Sequence, residues 1–343
     1  MRKIIFAYSL LLFLTACKNE EKSKLIDNSN IKNTQKNKNQ TQISTSDKNS
    51  SSKIIEAGIY QDKDSLYHLK YNLEVGKTYS FNSKEINKQT ITFRGKSQSM
   101  TQETYDPINF KVTDTKDNKY TLEVKMGGKK IITKAEGKEF TFDTHGKQPT
   151  DPNQARMWKI YKAISEVSFT VDMDVYGNLS NIKGLDAIYT KAKNSLSGDL
   201  KGKQLDDFIL AFKKGFNAET FKTQFENSMM KFPTKGLKIG EKWNNDPSRK
   251  NQGYNQLIQV NDQSAEVKVQ GIIPSKSDSK VIDGVTYKIS VKGSQNGKII
   301  MNKNSGWISN ASFNITVTET KSAKKGNESE QVIQKTENNT YIN

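Results

Sequence analysis

Phe169-Thr170-Val171-Asp172-Met173-Asp174-Val175 alternates apolar and polar side chains without a break. Successive side chains of an extended chain point to opposite faces, so this order gives one dry face and one wet face. The same period returns at Tyr120-Leu122-Val124-Met126, Ala265-Val267-Val269, Tyr287-Ile289-Val291 and Phe313-Ile315-Val317. Parallel strands buried on both faces read as continuous apolar runs, so the alternation predicts antiparallel sheet. Polar turns at Lys116-Asp117-Asn118-Lys119, Asn261-Asp262-Gln263-Ser264 and Asn296-Gly297 are expected to join neighbouring strands as hairpins.

Working outward, three landmarks occur twice in the same order. Leu73-Glu74-Val75-Gly76-Lys77-Thr78-Tyr79 matches Leu237-Lys238-Ile239-Gly240-Glu241-Lys242-Trp243. The hairpin Phe110 to Met126 matches Leu257 to Gly271, and the turn starting at Gly177 matches the one starting at Gly306. Three landmarks in register predict a duplication. In each copy the first glycine is expected to turn the chain with positive φ, sending the leucine and the β-branched residue into the core on one side and an aromatic on the other.

Between the copies the period changes to that of helices. Asp151-Pro152 offers an N-cap and a proline at the first helical position, ahead of Met157, Trp158, Tyr161 and Ile164. Leu185 to Leu196 carries an apolar face of Leu185, Ile188, Tyr189, Ala192 and Leu196. Two further pieces hold Phe208, Phe212 and Phe216, then Phe221 and Phe225, before Phe232-Pro233 stops the run. Amphipathic helices of this kind cover the dry face of a sheet. The expected fold is α+β and mainly β: two pseudo-repeated antiparallel β-meander units forming curved sheet, covered by a central block of three to four helices. The first unit is placed at 66–183, the helical block at about 152–232 and the second unit at 237–343, all within a globular region 54–343.

The chain has 343 residues, a formal net charge of +17, two histidines and one cysteine, Cys17. Beyond residue 53 the excess falls to +11, and Arg94, Arg156 and Arg249 are the arginines there. Phosphate and base recognition favours the planar guanidinium, whereas scattered lysine mostly keeps a surface soluble, so no nucleic-acid partner is expected.

Arg2 and Lys3, the apolar run Ile4 to Leu14, and Ala16 before Cys17 follow the layout of a secretory signal too short to span a bilayer. Leu14-Thr15-Ala16-Cys17 resembles the bacterial lipobox, which implies removal of residues 1–16 and lipidation of Cys17. The membrane is then a partner through that lipid. Lys18-Asn19-Glu20-Glu21 resembles the signal that sends some lipoproteins of Bacteroidetes-type bacteria to the cell surface, with Lys18, Glu20 and Glu21 as the matching residues. The rest of the stretch 17–53 is Asn, Lys, Ser, Thr and Gln with almost nothing to bury, so it is expected to be a flexible linker reaching roughly 30–35 Å.

Tyr71 to Tyr79 and Pro233 to Trp243 also resemble a family of uncharacterised Bacteroidetes lipoproteins, through Tyr-x-Leu-x-x-Gly-x-x-Tyr and a later Pro…Gly-Glu-x-Trp. The resemblance implies an extracytoplasmic β-rich domain and no chemistry. Helices laid on curved sheet are similar, at the level of architecture alone, to lipoprotein-carrier half-barrels.

The chemistry-bearing residues are sparse. His68 falls on a strand and His145 in the turn Asp143-Thr144-His145-Gly146, without the three or four clustered ligands zinc needs. No Gly-x-Ser-x-Gly elbow accompanies Asp143 and His145. Asp172 and Asp174 share the polar face of one strand, where solvent or turn contacts are their expected role; Gly127-Gly128 makes no phosphate loop. No catalytic residue, metal or cofactor is assigned. Phe208, Phe212, Phe216, Phe221 and Phe225 are candidates to line a site for an apolar ligand, and would equally build a core. The expected protein is a non-enzymatic lipoprotein of the outer membrane, facing the cell surface or alternatively the periplasm, that binds a lipid-like, glycan or protein ligand. An accessory subunit of an outer-membrane complex is the alternative, and a hydrolase of envelope polymers the third.

Overall fold

The computed structural model describes residues 57–244 and 253–343. Cys17, Lys18, Glu20, Glu21, the signal segment and the linker lie outside the described residues. In chain order the elements are β1 (Ile59–Gln61), β2 (Tyr67–Leu69), β3 (Thr78–Phe93), β4 (Lys96–Lys116), β5 (Lys119–Met126), β6 (Lys130–Ala135), β7 (Lys138–Asp143), α1 (Pro152–Ser165), β8 (Ser168–Asp174) and β9 (Leu179–Lys183). There follow α2 (Leu185–Leu196), α3 (Gly202–Gly215), α4 (Ala218–Ser228), β10 (Lys242–Trp243), β11 (Gly253–Val260), β12 (Ser264–Ile282), β13 (Val285–Asn302), β14 (Ile308–Lys325) and β15 (Glu328–Ile342).

Among the described residues, thirteen strands form one antiparallel sheet in the order β10-β11-β12-β13-β14-β15-β3-β4-β5-β8-β9, with the hairpin β6-β7 attached to the far part of β4. β1 and β2 pair apart from it. The fold is mainly β with a helical cover, as the alternation requires.

The duplication is visible bond by bond. Gly76 (φ 85°) donates to the Val112 carbonyl at 2.8 Å, and Gly240 (φ 86°) donates to the Leu257 carbonyl at 2.7 Å. Val112 and Leu257 donate back to Lys77 and Glu241, at 3.0 and 3.2 Å. The hairpin after each turn slips register at the same place, between Val112 and Asp114 in one copy and between Leu257 and Gln259 in the other. Met173 pairs with Leu179 as Met301 pairs with Ile308. So β3-β4-β5-β8-β9 and β10-β11-β12-β13-β14 are two copies of one meander laid edge to edge, and β15 is the strand that joins them.

Two expectations need correction. Leu73 and Leu237 are buried, as are Tyr79 and Trp243, but Val75 and Ile239 are 56% and 48% exposed. The glycine between the leucine and the aromatic reverses the chain so sharply that its β-branched neighbour is left at the tip of the turn. Asn296-Gly297 is not a turn either; it lies inside β13, where a Cβ on Gly297 would strike the Phe313 ring on the next strand. That glycine serves a close cross-strand approach.

The helices form where their local signals lie. The Asp151 side chain accepts the Asn153 and Gln154 N–H groups at 3.0 Å, opening α1. Asn217 and Thr220 close a reciprocal capping box at the start of α4. α1, α2 and α3 pack in series, and the cover meets the sheet at β5, β7, β9 and the near ends of β3 and β4. Phe225 of α4 stands 4.6 Å from Phe110 between ring centroids, and Phe221 meets Phe169 edge to face at 4.8 Å. Beyond this covered end the long strands continue. The far halves of β3, β4 and β12 to β15 carry half-buried and exposed side chains on both faces.

Candidate functional site

The face of the sheet that the helices cover runs on, by the two-residue period of β3 and β4, from Tyr79 and Phe81 to Ser83, Glu85 and Asn87. At the edge of the cover this inner face changes from packed apolar core to a polar cluster.

Lys129 anchors the cluster. After β5 the chain passes Gly127 and Gly128, where a Cβ would run into Pro107 and into the His145 ring. Gly127 donates to the Pro107 carbonyl at 2.7 Å. Buried Thr144 then grips the Lys129 backbone from both sides: its hydroxyl accepts the Lys129 N–H at 2.8 Å, and its N–H donates to the Lys129 carbonyl at 3.0 Å. Held in this way, the Lys129 side chain is 14% exposed and its Nζ lies 2.8 Å from Asp106 Oδ2. The same Nζ sits 5.1 Å from the centre of the Tyr161 ring on α1. Phe142 meets Tyr161 edge to face, and Trp158 Nε1 donates to the Asp143 carbonyl at 3.1 Å, so α1 is clamped to this corner.

Glu85 stands beside this pair on β3. Its carboxylate accepts the Asn338 amide of β15, and Thr340 donates to Asn338 Oδ1 at 2.9 Å. Burial pushes the Glu85 carboxyl above the usual carboxylate range, and the Asn338 amide and the charge of Lys129 only partly oppose it. Burial works against the charge of Lys129 too, but there Asp106, Tyr161 and Glu85 prevail and its proton is held more tightly than usual. Burial raises the Tyr161 hydroxyl. Asp106 is neutralised by Lys129, whereas Glu85 makes no ion pair among the described residues.

The register across the strands places apolar surface next to this cluster. One row reads Thr104, Glu85, Thr340, Phe313, Gly297, Val269. Two residues further along, Ile315 follows Phe313 on β14, and then Val317 stands opposite Gly293, over which Ile273 leans. Along β13 the inner residues Val291, Gly293, Gln295 and Gly297 are half-buried, while the outer Lys292, Ser294, Asn296 and Lys298 are exposed. On β13 the inner face is thus the more sheltered one, and along this face stand a carboxyl on β3 and an apolar strip on β12 to β14.

The five phenylalanines lie elsewhere. Phe212 stacks on Phe216, and Phe221 on Phe225, each at 5.7 Å, while Phe208 is partly buried against the same core. Phe221 and Phe225 fill the space between cover and sheet, and Phe212 and Phe216 pack within the cover, where Phe212 meets Tyr189 of α2. Asp172 accepts from Thr121 and Asn181, and Asp174 accepts the Tyr176 and Asn178 N–H groups, so both hold turns. His145 is exposed in its turn. His68 Nε2 lies 2.7 Å from Asp62 Oδ2; this contact and the Leu66 N–H hold the Asp62 carboxyl below its usual range. Among the described residues no three His, Cys, Asp or Glu side chains gather as a metal site. Glu85, Lys129, Tyr161 and Asn338 were not expected from the sequence. The one local signal was Gly127-Gly128, a close approach beside Lys129; nothing local points to Glu85 or Asn338.

A family of unknown function, DUF6263, matches residues 117–308, more than half of the chain. The chain belongs to this family. In this DUF6263 protein the matched stretch begins at the turn before β5 and ends at the first residue of β14, so it contains Lys129 and Tyr161 but neither Glu85 nor Asn338. No curated protein matches. Among solved structures, the COG4313 outer membrane channel from Pseudomonas putida F1 aligns over 80% of this chain and 97% of its own, at 6% identity and a TM-score of 0.20. Pseudomonas aeruginosa OccK5 (OpdH) aligns over 78% and 98%, at 6% identity and a TM-score of 0.19. A DUF1329 family protein from Desulfovibrio piger aligns over 74% and 83%, at 8% identity and a TM-score of 0.10. Likenesses of this size bear on neither activity nor partner.

Proposed function

We propose that this DUF6263 protein is a lipid-anchored envelope protein of a Bacteroidetes-type bacterium that binds, without transforming it, a ligand with an apolar body on the inner face of its sheet. The observation that carries this reading is the uncovered inner face beyond the helices, where an apolar strip adjoins a polar cluster. Ligand sites combine apolar lining with a few placed polar groups in this way. A hydrolase of envelope polymers would need two carboxyls at work; here Asp106 is committed to Lys129, which leaves Glu85 alone. The lipobox-like Leu14 to Cys17 supplies the anchor, and Lys18, Glu20 and Glu21 direct it to the outer face of the outer membrane.

Two measurements test the reading. Protein extracted from its own membrane and examined by native mass spectrometry is expected to carry a co-purifying small molecule, lost in Val317→Lys, which places a charge on the strip. A bare mass for the unaltered protein would refute ligand binding, and a protein adduct in its place would favour the accessory-subunit alternative. Cys17→Ser is expected to release the protein from the membrane fraction; retention would refute the anchor.

A further inference from the structure

The polar cluster specifies more than the presence of a ligand. With Glu85 ionised, Glu85 and Asp106 bring two negative charges and Lys129 one positive, so the cluster then carries one net negative charge in a chain that is basic overall. Lys129 is spent on Asp106 at 2.8 Å. Glu85, half-buried, has a single neutral partner, the Asn338 amide. A carboxylate taken out of water without a cation is unfavourable, and it is relieved by a proton or by a positive group.

Next to this unmet charge lies the apolar strip. Neighbouring strands are about 4.8 Å apart, so Phe313 is roughly 10 Å from Glu85 across Thr340, and Phe313 to Val317 spans about 13 Å along β14. Gly297 and Gly293 carry no side chain, and Phe313 and Ile273 lean over them, which keeps the strip low and flat. A linear apolar chain fits such a strip better than a ring system that needs a deep pocket.

Resting on the ligand-binding reading above, we infer that the inner face takes a cationic amphiphile: an ammonium head seated on Glu85, with its alkyl chain along Phe313, Ile315 and Val317. The ammonium supplies the charge that Lys129, held by Asp106, offers Glu85 only in part, and the chain covers the strip. A fatty acid would bring a second uncompensated negative charge to the same place and is disfavoured.

The test uses three probes of equal chain length, dodecylamine, dodecanol and dodecanoate, below their micellar concentrations, with binding to the folded protein followed by calorimetry at pH 7. Dodecylamine is expected to bind at least tenfold more tightly than dodecanol, and dodecanoate most weakly. Glu85→Gln is expected to keep the dodecanol affinity and bring dodecylamine down to match it, while Val317→Lys weakens dodecylamine and dodecanol alike. Equal binding of amine and alcohol by the unaltered protein, or an amine preference that survives Glu85→Gln, would overturn the head-group assignment and leave the apolar reading standing. If no probe binds, both fall together. The glutamine variant keeps the size and hydrogen-bonding reach of the side chain, and its melting temperature, expected to be no lower than that of the unaltered protein, shows that it is folded.

Discussion

Gly240 and Gly306 both adopt positive φ, at 86° and 68°, yet their surroundings differ. A Cβ on Gly240 would meet nothing within 4 Å, so Gly240→Ala is expected to cost only the left-handed backbone penalty, roughly 1–2 kcal/mol. A Cβ on Gly306 would also run into the Lys70 carbonyl oxygen, so Gly306→Ala should lower the melting temperature distinctly more. Equal losses would show that the turn alone sets both positions. Two glutamates make a second pair, of opposite sign. Glu85 has a carboxyl raised by burial, so its contribution is present at low pH, when protonated, and is lost as pH rises through the raised value. Glu85→Gln should therefore raise the melting temperature at neutral pH, with the gain fading as the pH falls below the ordinary carboxylate range. Burial also works against the charge of Glu226, but Lys231 at 2.6 Å, the Leu179 N–H at 2.9 Å and Lys222 outweigh it and hold that carboxyl below its usual range. Its contribution is present at neutral pH and disappears as pH falls through the lowered value, so Glu226→Gln should destabilise at pH 7 and cease to matter in acid. Thermal melts of both variants between pH 3 and 8 check the two signs together.

At the scale of elements, α1 both covers the sheet and carries Tyr161 to the cluster. Asp151→Ala removes the acceptor of two backbone N–H groups and should cost about 1 kcal/mol, with faster amide exchange in the first turn of the helix. Exchange unchanged there would mean that packing against β7 alone sets the helix start. The helices were legible in the sequence because their signals are local: Asp151-Pro152 and the apolar face of Leu185 to Leu196 match the observed α1 and α2 bounds. The strands were legible only where one face is dry. From Lys84 to Lys88 and from Thr316 to Thr320 both faces are half-exposed, so polar residues occupy both and the period of two fades. This is also why the hairpin β6-β7 and the full length of β12 and β13 escaped notice, and why Asn296-Gly297 read as a turn. The site was less legible still. Glu85 and its partner Asn338 lie 253 positions apart, and only the register of β15 on β3 brings them together.

Across the whole molecule, stability is concentrated at one end of the strands. Residues 79–81, 110–112, 122–124 and 265–267 hold buried core side chains, while the far halves of β3, β4 and β12 hold none. Amide exchange is expected to be slowest at the covered end and to quicken toward the turns Arg94-Gly95 and Asp283-Gly284, although the strands stay paired as far as those turns, with one register slip between Ile273 and Lys276. Uniform protection along β13 would contradict a core confined to the covered end. β15 has a consequence in time as well as in space. Among the described residues the two meanders share no strand pairing of their own; the strand between them, 328–342, comes after both in the chain. Until that strand is placed, each meander has an open edge, β14 on one and β3 on the other. β15 pairs with both edges, so it works as a latch: the inner face, with Glu85 on one side and Phe313 on the other, becomes a single surface only when the latch closes.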